Sequence, residues 1–174
     1  MNKTSKSIEN AVFRETKETF SLHSYDEDQQ ALVYLINQAQ VSVKIYSHLL
    51  CPAIFNSELV VDACERFCLK NHRTHIEILV QKTRPLTNIS HRLLSLAHKH
   101  ISSVSFKKLN PDISQRTDDF VCFDRSAYFQ LPNAEHYEAI CNFSDASRTA
   151  IFSAHFNDAW ERSHHDPELR MLLL

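Results

Sequence analysis

Alternation of apolar and polar residues predicts short strands along much of the chain. The first four such segments are "TFSLHSY" (19–25), "VSVKIYS" (41–47), "THIEILVQ" (74–81) and "SVSFKKL" (103–109). Further on, "FVCFD" and "AYFQL" predict paired strands around a turn at 124–126, and "YEAICNF" (137–143) predicts another strand. These segments are numerous enough to form one extended sheet.

Apolar residues at helical spacing predict helices between these strands. Ser24 and Glu27 stand at capping-box spacing and open the first helix. The other helices are predicted over 57–71, over 88–100 with Ile89 in its apolar stripe, and over 144–163 with Ser144 as its cap.

The order of these elements predicts the fold class. The succession β-α-β-α-β-α-β-β-β-β-α indicates a single α/β domain over 19–174, a mixed sheet flanked by helices. Parallel pairing is expected early in the chain and antiparallel pairing late. Residues 1–18 are polar and charged, so we expect a flexible N-terminus.

Composition narrows the class of protein. Apolar residues make up 43% and charged residues 23% of the 174, values typical of a soluble domain. No apolar run reaches the roughly 20 residues that span a bilayer, so no membrane contact is expected. The start lacks the apolar stretch of a secretory signal, and the five cysteines are odd in number and irregularly spaced. Reduced thiols and a cytoplasmic location are therefore expected.

Glycine is absent from the sequence. The P-loop, the dinucleotide-binding turn and the nucleophile elbow of α/β-hydrolases all need glycine for close backbone approach or a strained turn. The sequence therefore argues against an ATPase, a Rossmann dehydrogenase and an α/β-hydrolase.

Charge is distributed unevenly along the chain despite a net charge of −2. From Ile78 to Pro111 there are six Lys or Arg residues and no acid, whereas from Asp112 onward eleven acids face five arginines. The basic segment could form an anion site or bind nucleic acid. Alternatively, the two segments are solvated surfaces that complement each other, and we favour this second interpretation.

Several short motifs resemble one half of the phospholipase D–like fold. The segments "IYS", "ILVQKTR", "HRLLSLAHK" and "FNDAWERSHHDPELRMLLL" are similar to an uncharacterised proteobacterial branch of that superfamily, over about residues 20–174. In some proteins of that branch the domain follows a GNAT-type acyltransferase domain. Active members build one site from two halves, so the resemblance implies a homodimer and suggests an acyltransferase partner.

The same resemblance implies that the catalytic motif H-x-K-x-x-x-x-D is degenerate here. With Asp124 at the aspartate position, the histidine position falls on Thr117 and the lysine position on Asp119. In the family the histidine attacks phosphorus and the lysine neutralises phosphate oxygens. A carboxylate at the lysine position would repel a phosphate by a few kcal/mol, an order-of-magnitude figure for about 4 Å near a protein surface. The resemblance therefore implies that the shape is kept and the phosphodiesterase chemistry is lost.

Six residues near the ends of the central strands are candidates for a residual anion site. They are Ser47, His48, Lys82, Arg84, His91 and Arg92. Ligands of α/β sheets bind beyond the carboxyl ends of strands, and helix N-termini favour anions. In the alternative interpretation, the two arginines instead pair with Asp119 and Asp124 and hold the degenerate site together.

Other candidate chemistry is weaker. The spacing Cys64-x3-Cys68-x3-His72-x2-His75 is compatible with zinc, but both cysteines lie on an apolar helix stripe and are expected to pack in the core. Neither a metal nor another cofactor is therefore expected. Thr117 or Cys122 as a nucleophile is a poor candidate because the sequence reveals no paired histidine.

The sequence thus favours a non-catalytic phospholipase D–like binding or regulatory module. Its ligand is expected to be a small anion or nucleotide, and it is expected to act with an acyltransferase. One alternative is a phosphodiesterase or nuclease in which Asp119 and Asp124 hold a divalent metal. The other is a nucleic-acid-binding protein that uses 82–108.

Overall fold

The computed structural model of the chain describes residues 8–133 and 136–169. The strands are β1 (Thr19–Leu22), β2 (Ser42–Ser47), β3 (His75–Val80), β4 (Val104–Lys108), β5 (Asp119–Phe123), β6 (Ala127–Leu131) and β7 (Ala139–Asn142). The helices are α1 (Tyr25–Gln38), α2 (Pro52–Phe55), α3 (Glu58–Cys68), α4 (Arg84–Asn88), α5 (Arg92–Lys99) and α6 (Ala146–Arg162), followed by a 3-10 turn at Pro167–Leu169.

The strands form one seven-stranded mixed sheet in the order β1-β7-β6-β5-β2-β3-β4. Strands β2, β3 and β4 pair in parallel, as expected for strands joined by helical crossovers. Strands β5, β6, β7 and β1 pair antiparallel, and β5 also runs antiparallel to β2. The predicted fold class is confirmed, including early parallel pairing, late antiparallel pairing and an edge position for β1.

Helices cover both faces of the sheet. On one face, α1 to α5 pack against the inward side chains of β2 and β3, such as Ile45 and Ile78. On the other face, Phe152 and Phe156 of α6 pack against Tyr46 and Phe120. Because side chains alternate along a strand, neighbouring residues of β2 and β5 contribute to opposite cores.

Strand register positions the edge of the sheet that carries the candidate site. Tyr46 pairs with Phe120 in the antiparallel β2–β5 ladder, so Ser47 at the end of β2 faces Asp119 at the start of β5. The parallel neighbour β3 ends at the same edge, where Val80 pairs with Ser47. The loops after β2 and β3 and the segment before β5 therefore meet there.

The N-terminal segment differs from its prediction. Its first seven residues lie outside the described part, but residues 8–18 are packed against the domain. Ile8 and Ala11 are buried, and the Phe13 ring meets Phe143 edge to face with centroids 6.2 Å apart. The Gln38 side chain fixes this segment by accepting from Phe13 N (2.9 Å) and donating to Ala11 O (2.9 Å). A few apolar residues among the polar ones are enough to anchor it.

The predicted helix over 88–100 begins later than expected. Ser90 has a φ of 50°, which a continuous right-handed helix does not allow, so α4 and α5 are separate. Ile89 lies in this break and is 46% exposed instead of packing in a stripe. At α6, Asp145 rather than Ser144 is the cap, since its side chain accepts from Arg148 N at 2.9 Å. The Ser24 cap of α1 is confirmed by its bond from Glu27 N at 3.2 Å.

None of the helices in the described part of the chain combines the length and apolarity needed to cross a bilayer.

Candidate functional site

A cavity of about 590 Å³ opens at the sheet edge where β2 and β3 end and β5 begins. The described residues that line it are His48, Leu49, Cys51, Pro52, Gln81, Lys82, Thr117, Asp119, Pro132 and Asn133. Its location agrees with the rule that open α/β sheets bind ligands beyond the carboxyl ends of their parallel strands. We call this cavity the cleft.

Asp119 is the central side chain of the cleft. It is buried, and its Oδ1 lies 2.5 Å from His48 Nδ1 and 3.0 Å from the backbone N–H of His48. Its Oδ2 accepts a hydrogen bond from the Ser47 hydroxyl. The carboxylate at the expected lysine position is therefore compensated by three donors, so its charge does not project unopposed into the cleft.

The imidazole of His48 is held in a fixed orientation. The hydrogen bond with Asp119 raises the pKa of His48, partial burial opposes this rise, and a backbone hydrogen bond at Arg116 and the nearby Asp118 charge add to it. A histidine with a raised pKa is protonated over a wider pH range. His48 is thus a cation paired with Asp119 at neutral pH or slightly below.

Lys82 stands beside His48 at the end of the adjacent strand. Its backbone N–H donates to His48 O at 3.0 Å, so the parallel ladder continues beyond β2 and β3. The Lys82 side chain is exposed and lines the cleft. An imidazole and an ammonium group therefore share one wall of the cleft.

The loop after His48 is fixed by Ser47. Leu50 adopts a φ of 53°, uncommon for a branched side chain, and its N–H donates to Ser47 Oγ at 2.8 Å. Ser47 therefore connects Asp119 to the turn that carries Leu49 and Cys51 into the cleft.

Asp124 has a structural position far from the cleft. It lies five residues after Asp119, about 16 Å at the rise of an extended strand. Its carboxylate accepts backbone N–H bonds from Gln40, Val41 and Ser42 at 2.9, 2.8 and 2.9 Å. The expectation that Asp119 and Asp124 share a divalent metal is therefore wrong, as is their pairing with arginines, because backbone amides and His48 occupy these carboxylates.

Asp118 belongs to a separate network on the α6 face. Burial alone would raise its pKa, but a bidentate Arg116 guanidinium (2.7 and 2.8 Å) and the Gln130 amide (2.7 Å) hold it below the ordinary value. Gln130 in turn accepts from Arg148 at 2.7 Å. This chain of bonds fixes the segment that leads into β5.

The structure brings together only part of the predicted anion site. His48 and Lys82 line the cleft, and Ser47 supports it through Asp119. His91 is fully buried, its Nδ1 accepts from Leu93 N at 3.2 Å, and burial lowers its pKa to about 4. It is a helix cap, and neither it nor Arg84 nor Arg92 is among the described residues that line the cleft.

Thr117 lines the same cleft as His48. The expectation that no histidine accompanies this hydroxyl is wrong, because the two residues are 69 positions apart in sequence and only the β2–β5 pairing brings them together. Gln81 and Asn133 also line the cleft and were missed. Their positions beyond strand ends were the available signal.

Several cations of the basic segment are engaged within the domain. Lys99 lies 2.5 Å from Glu65, Lys107 donates to Trp160 O at 2.9 Å, and Lys108 lies 3.3 Å from Asp166. The last pair joins the basic segment to the acidic C-terminal part. This agrees with the interpretation that the two segments complement each other.

The cysteines of the proposed zinc spacing face the core. Cys64 and Cys68 are buried, and desolvation raises their pKa values to about 12 and about 11. Thiols in such surroundings stay protonated and pack as small apolar groups. The described residues contain no group of three or more His, Cys, Asp or Glu side chains arranged to hold a metal ion.

Comparison with known proteins yields one family and several structural likenesses. The family described as a domain of unknown function (DUF7931) matches residues 24–172. No curated protein matches the sequence.

Solved structures with similar folds include three nucleases or DNA-associated proteins. TrmBL2, described as an archaeal chromatin protein with a novel mode of DNA binding, superposes with a TM-score of 0.63 at 15% identity over 94% of this chain. NucT from Helicobacter pylori gives 0.62 at 13% identity, covering 86% of this chain and 98% of its own. Nuc from Salmonella typhimurium, a phospholipase D family member, gives 0.56 at 15%, covering 86% and 100%.

These likenesses establish the fold alone at such identities. The chain adopts the mixed α/β fold of phospholipase D superfamily members, as the sequence predicted. It spans 58% of the length of TrmBL2.

Proposed function

We propose that this chain, which belongs to the family described as a domain of unknown function (DUF7931), is a phospholipase D–like module that binds a small phosphate-bearing anion in the cleft. The observation that carries the proposal is the shared wall of His48 and Lys82 above a compensated Asp119. Both cationic groups can donate charge-assisted hydrogen bonds to phosphate oxygens.

The charge at Asp119 no longer opposes anion binding. The repulsion expected from the sequence assumed an isolated carboxylate at the lysine position. With His48 protonated and Ser47 donating, the pair is neutral, and the Lys82 ammonium supplies a net positive charge.

The size and lining of the cleft favour a ligand larger than inorganic phosphate. A volume of about 590 Å³ lies within the range of sites for small organic molecules. Leu49, Pro52 and Pro132 provide apolar wall, while Gln81 and Asn133 provide amides. A nucleotide, with one phosphate and one flat organic part, fits this combination.

The motif positions contribute no phosphoryl-transfer chemistry in this proposal. Thr117 and Asp119 supply a hydroxyl and a carboxylate where the family uses an imidazole and an ammonium. For these positions we keep the expectation of a non-catalytic module. Sensing or sequestering a phosphate-bearing ligand is the corresponding role.

Isothermal titration calorimetry with inorganic phosphate and adenosine monophosphate tests the proposal. Replacing Lys82 by Ala is expected to weaken adenosine monophosphate binding about tenfold or more, the effect of one lost charge-assisted contact. Lys99→Ala removes the same charge from the basic segment far from the cleft and is expected to leave binding unchanged. Equal effects of the two variants, or the absence of binding to the unmodified protein, would refute the proposal.

Nucleic-acid binding is the second candidate. It is favoured by the fold shared with TrmBL2 and by the exposed side chains of Lys82, Arg84 and Arg92 along one stretch. It predicts that affinity for a short DNA duplex falls steeply with salt. If Arg92→Glu leaves that affinity unchanged, the cleft rather than the surface is the binding site.

Oligomeric state, partner and location remain proposals from the family resemblance. A homodimer across the cleft edge predicts a light-scattering mass of two chains at micromolar concentration, and a mass of one chain would contradict it. An acyltransferase partner predicts co-purification of an acetyltransferase activity with the tagged chain. All five cysteines are free thiols, which supports a cytoplasmic location that cell fractionation would test.

A further inference from the structure

We infer that Thr117, His48 and Asp119 form a nucleophile, base and orienting carboxylate that hydrolyse carboxylic esters in the cleft. This activity goes beyond the proposed anion binding and uses the same cavity. It follows from the contacts of three lining residues that are distant or unremarkable in sequence.

The base and its orienting group have the geometry that such chemistry requires. His48 Nδ1 lies 2.5 Å from Asp119 Oδ1, which places the proton on Nδ1 in the neutral tautomer and leaves Nε2 as the basic nitrogen. Asp119 is itself held by the Ser47 hydroxyl and by a backbone N–H. The imidazole is therefore aimed and not free to rotate.

The hydroxyl lies between the two groups that hold the imidazole. Thr117 precedes Asp119 by two residues, so both side chains lie on the same side of the extended backbone. The His48 ring contacts Asp119 and also forms a hydrogen bond with the backbone at Arg116, on either side of Thr117. Thr117 is exposed to the cleft that His48 also lines.

The charges favour attack on a carbonyl carbon over attack on phosphorus. A phosphate at Thr117 would bring permanent negative charge close to Asp119, whereas a carboxylic ester is neutral at its reacting carbon. The single negative charge that develops on its oxygen can be neutralised by the Lys82 ammonium. The substrate class is therefore an ester of a carboxylic acid, with its apolar part against Leu49 and Pro52.

The reaction balances without a further reagent. Nε2 of neutral His48 takes the hydroxyl proton as Thr117 Oγ1 bonds to the carbonyl carbon, and the imidazolium then protonates the departing alkoxide as the ester C–O bond breaks. Water hydrolyses the acyl–threonine ester by the same proton transfers. The products are a carboxylic acid and an alcohol.

Cys51 is the competing nucleophile in the cleft. Burial raises the pKa of its thiol, and neighbouring backbone N–H groups lower it less. The thiolate fraction at neutral pH is therefore small, and the thiol lacks an adjacent base among its described hydrogen-bond partners. This favours Thr117 as the acylated residue.

The test combines p-nitrophenyl acetate hydrolysis with mass spectrometry of the acetylated protein. The unmodified chain is expected to carry one acetyl group on the peptide that contains Thr117. Thr117→Val, close in shape, and His48→Asn are each expected to lower the rate at least 100-fold, the usual scale for a lost nucleophile or base. Thr117→Ser keeps a hydroxyl and is expected to retain activity.

The result that would overturn the inference is equally specific. Hydrolysis unchanged in Thr117→Val, an acetyl group on Cys51, or a rate no faster than that of free imidazole would each refute it. Calorimetry with adenosine monophosphate on the same samples separates the two proposals. Binding without acetylation refutes the hydrolase alone, and the absence of binding refutes the anion module whatever the ester assay shows.

Discussion

Asp118 and Asp119 are adjacent in sequence, yet their carboxylates bind different partners on opposite faces of the sheet. Asp118 is held by Arg116 and Gln130 on the face that α6 covers, and Asp119 by Ser47 and His48 at the cleft. The alternation of side chains along an extended segment separates the two charges. One acid fixes the strand, and the other sets the electrostatics of the cleft.

This separation predicts which acid controls the titration of His48. Asp119→Asn removes the hydrogen-bonded carboxylate, so the pKa of His48 is expected to fall. Asp118→Asn removes only a distant charge and is expected to lower it less. NMR titration of the His48 ring protons measures both shifts. Equal shifts in the two variants would contradict the direct Asp119–His48 contact.

Ser47→Ala is expected to destabilise the protein by about 1–3 kcal/mol, because it leaves one buried oxygen of Asp119 and the N–H of Leu50 without their partner. Urea unfolding measures this difference in the free energy of unfolding. Ser95 is exposed on α5, so Ser95→Ala is the matched control and should change stability little. A loss in Ser47→Ala no larger than the control's would show that the bonds at Ser47 contribute nothing.

Asp124→Ala is expected to cost more, about 2–4 kcal/mol, since three backbone N–H groups lose a charged acceptor and alanine tolerates the φ of 52° poorly. Asp124→Asn retains an acceptor oxygen and a residue suited to positive φ, so it should lose less. Asp145→Ala, which removes only the cap of α6, is expected to cost about 1 kcal/mol. Unfolding in urea orders the three variants, and Asp124→Ala ranking below Asp145→Ala would contradict the proposed role.

The sequence predicted the order and pairing of the strands because these follow from local alternation and from helices long enough for parallel crossovers. It also predicted that Ser47, His48 and Lys82 would meet at one sheet edge, a consequence of where β2 and β3 end. It did not predict the contact of His48 with Asp119. That contact depends on the register of antiparallel strands far apart in the chain, which periodicity does not determine.

The failed predictions share a cause in tertiary context. Asp124 was placed in a catalytic motif, but a left-handed turn directs its carboxylate to the amides of Gln40, Val41 and Ser42 at the opposite end of the strand. His91 was placed at an anion-binding helix end, but the chain break at Ser90 buries it as a cap. Composition marked residues 8–18 as loose because the contacts of Ile8 and Phe13 with the core are not visible locally.

Asp28 lies fully buried in α1, and neither carboxylate oxygen has a hydrogen-bond partner among the described residues. Burial, with the charge of Glu27 adding to it, raises the pKa of Asp28 from 3.8 to about 8. The folded protein thus binds a proton that the unfolded chain releases near pH 4. Stability from this site is present below about pH 4 and is lost progressively as the pH rises to about 8, by an amount on the order of several kcal/mol.

Asp28→Asn should therefore be increasingly stable relative to the unmodified protein as the pH rises. His91 opposes this slope: its pKa falls from 6.5 to about 4 on folding, so its contribution to stability increases with pH between those values. The decline due to Asp28 should consequently be clearest from pH 6.5 to 8, and His91→Asn, which can still cap α5, should extend it to lower pH. Urea unfolding at one-unit pH intervals checks both expectations, and parallel stability curves for Asp28→Asn and the unmodified protein would show that Asp28 titrates normally.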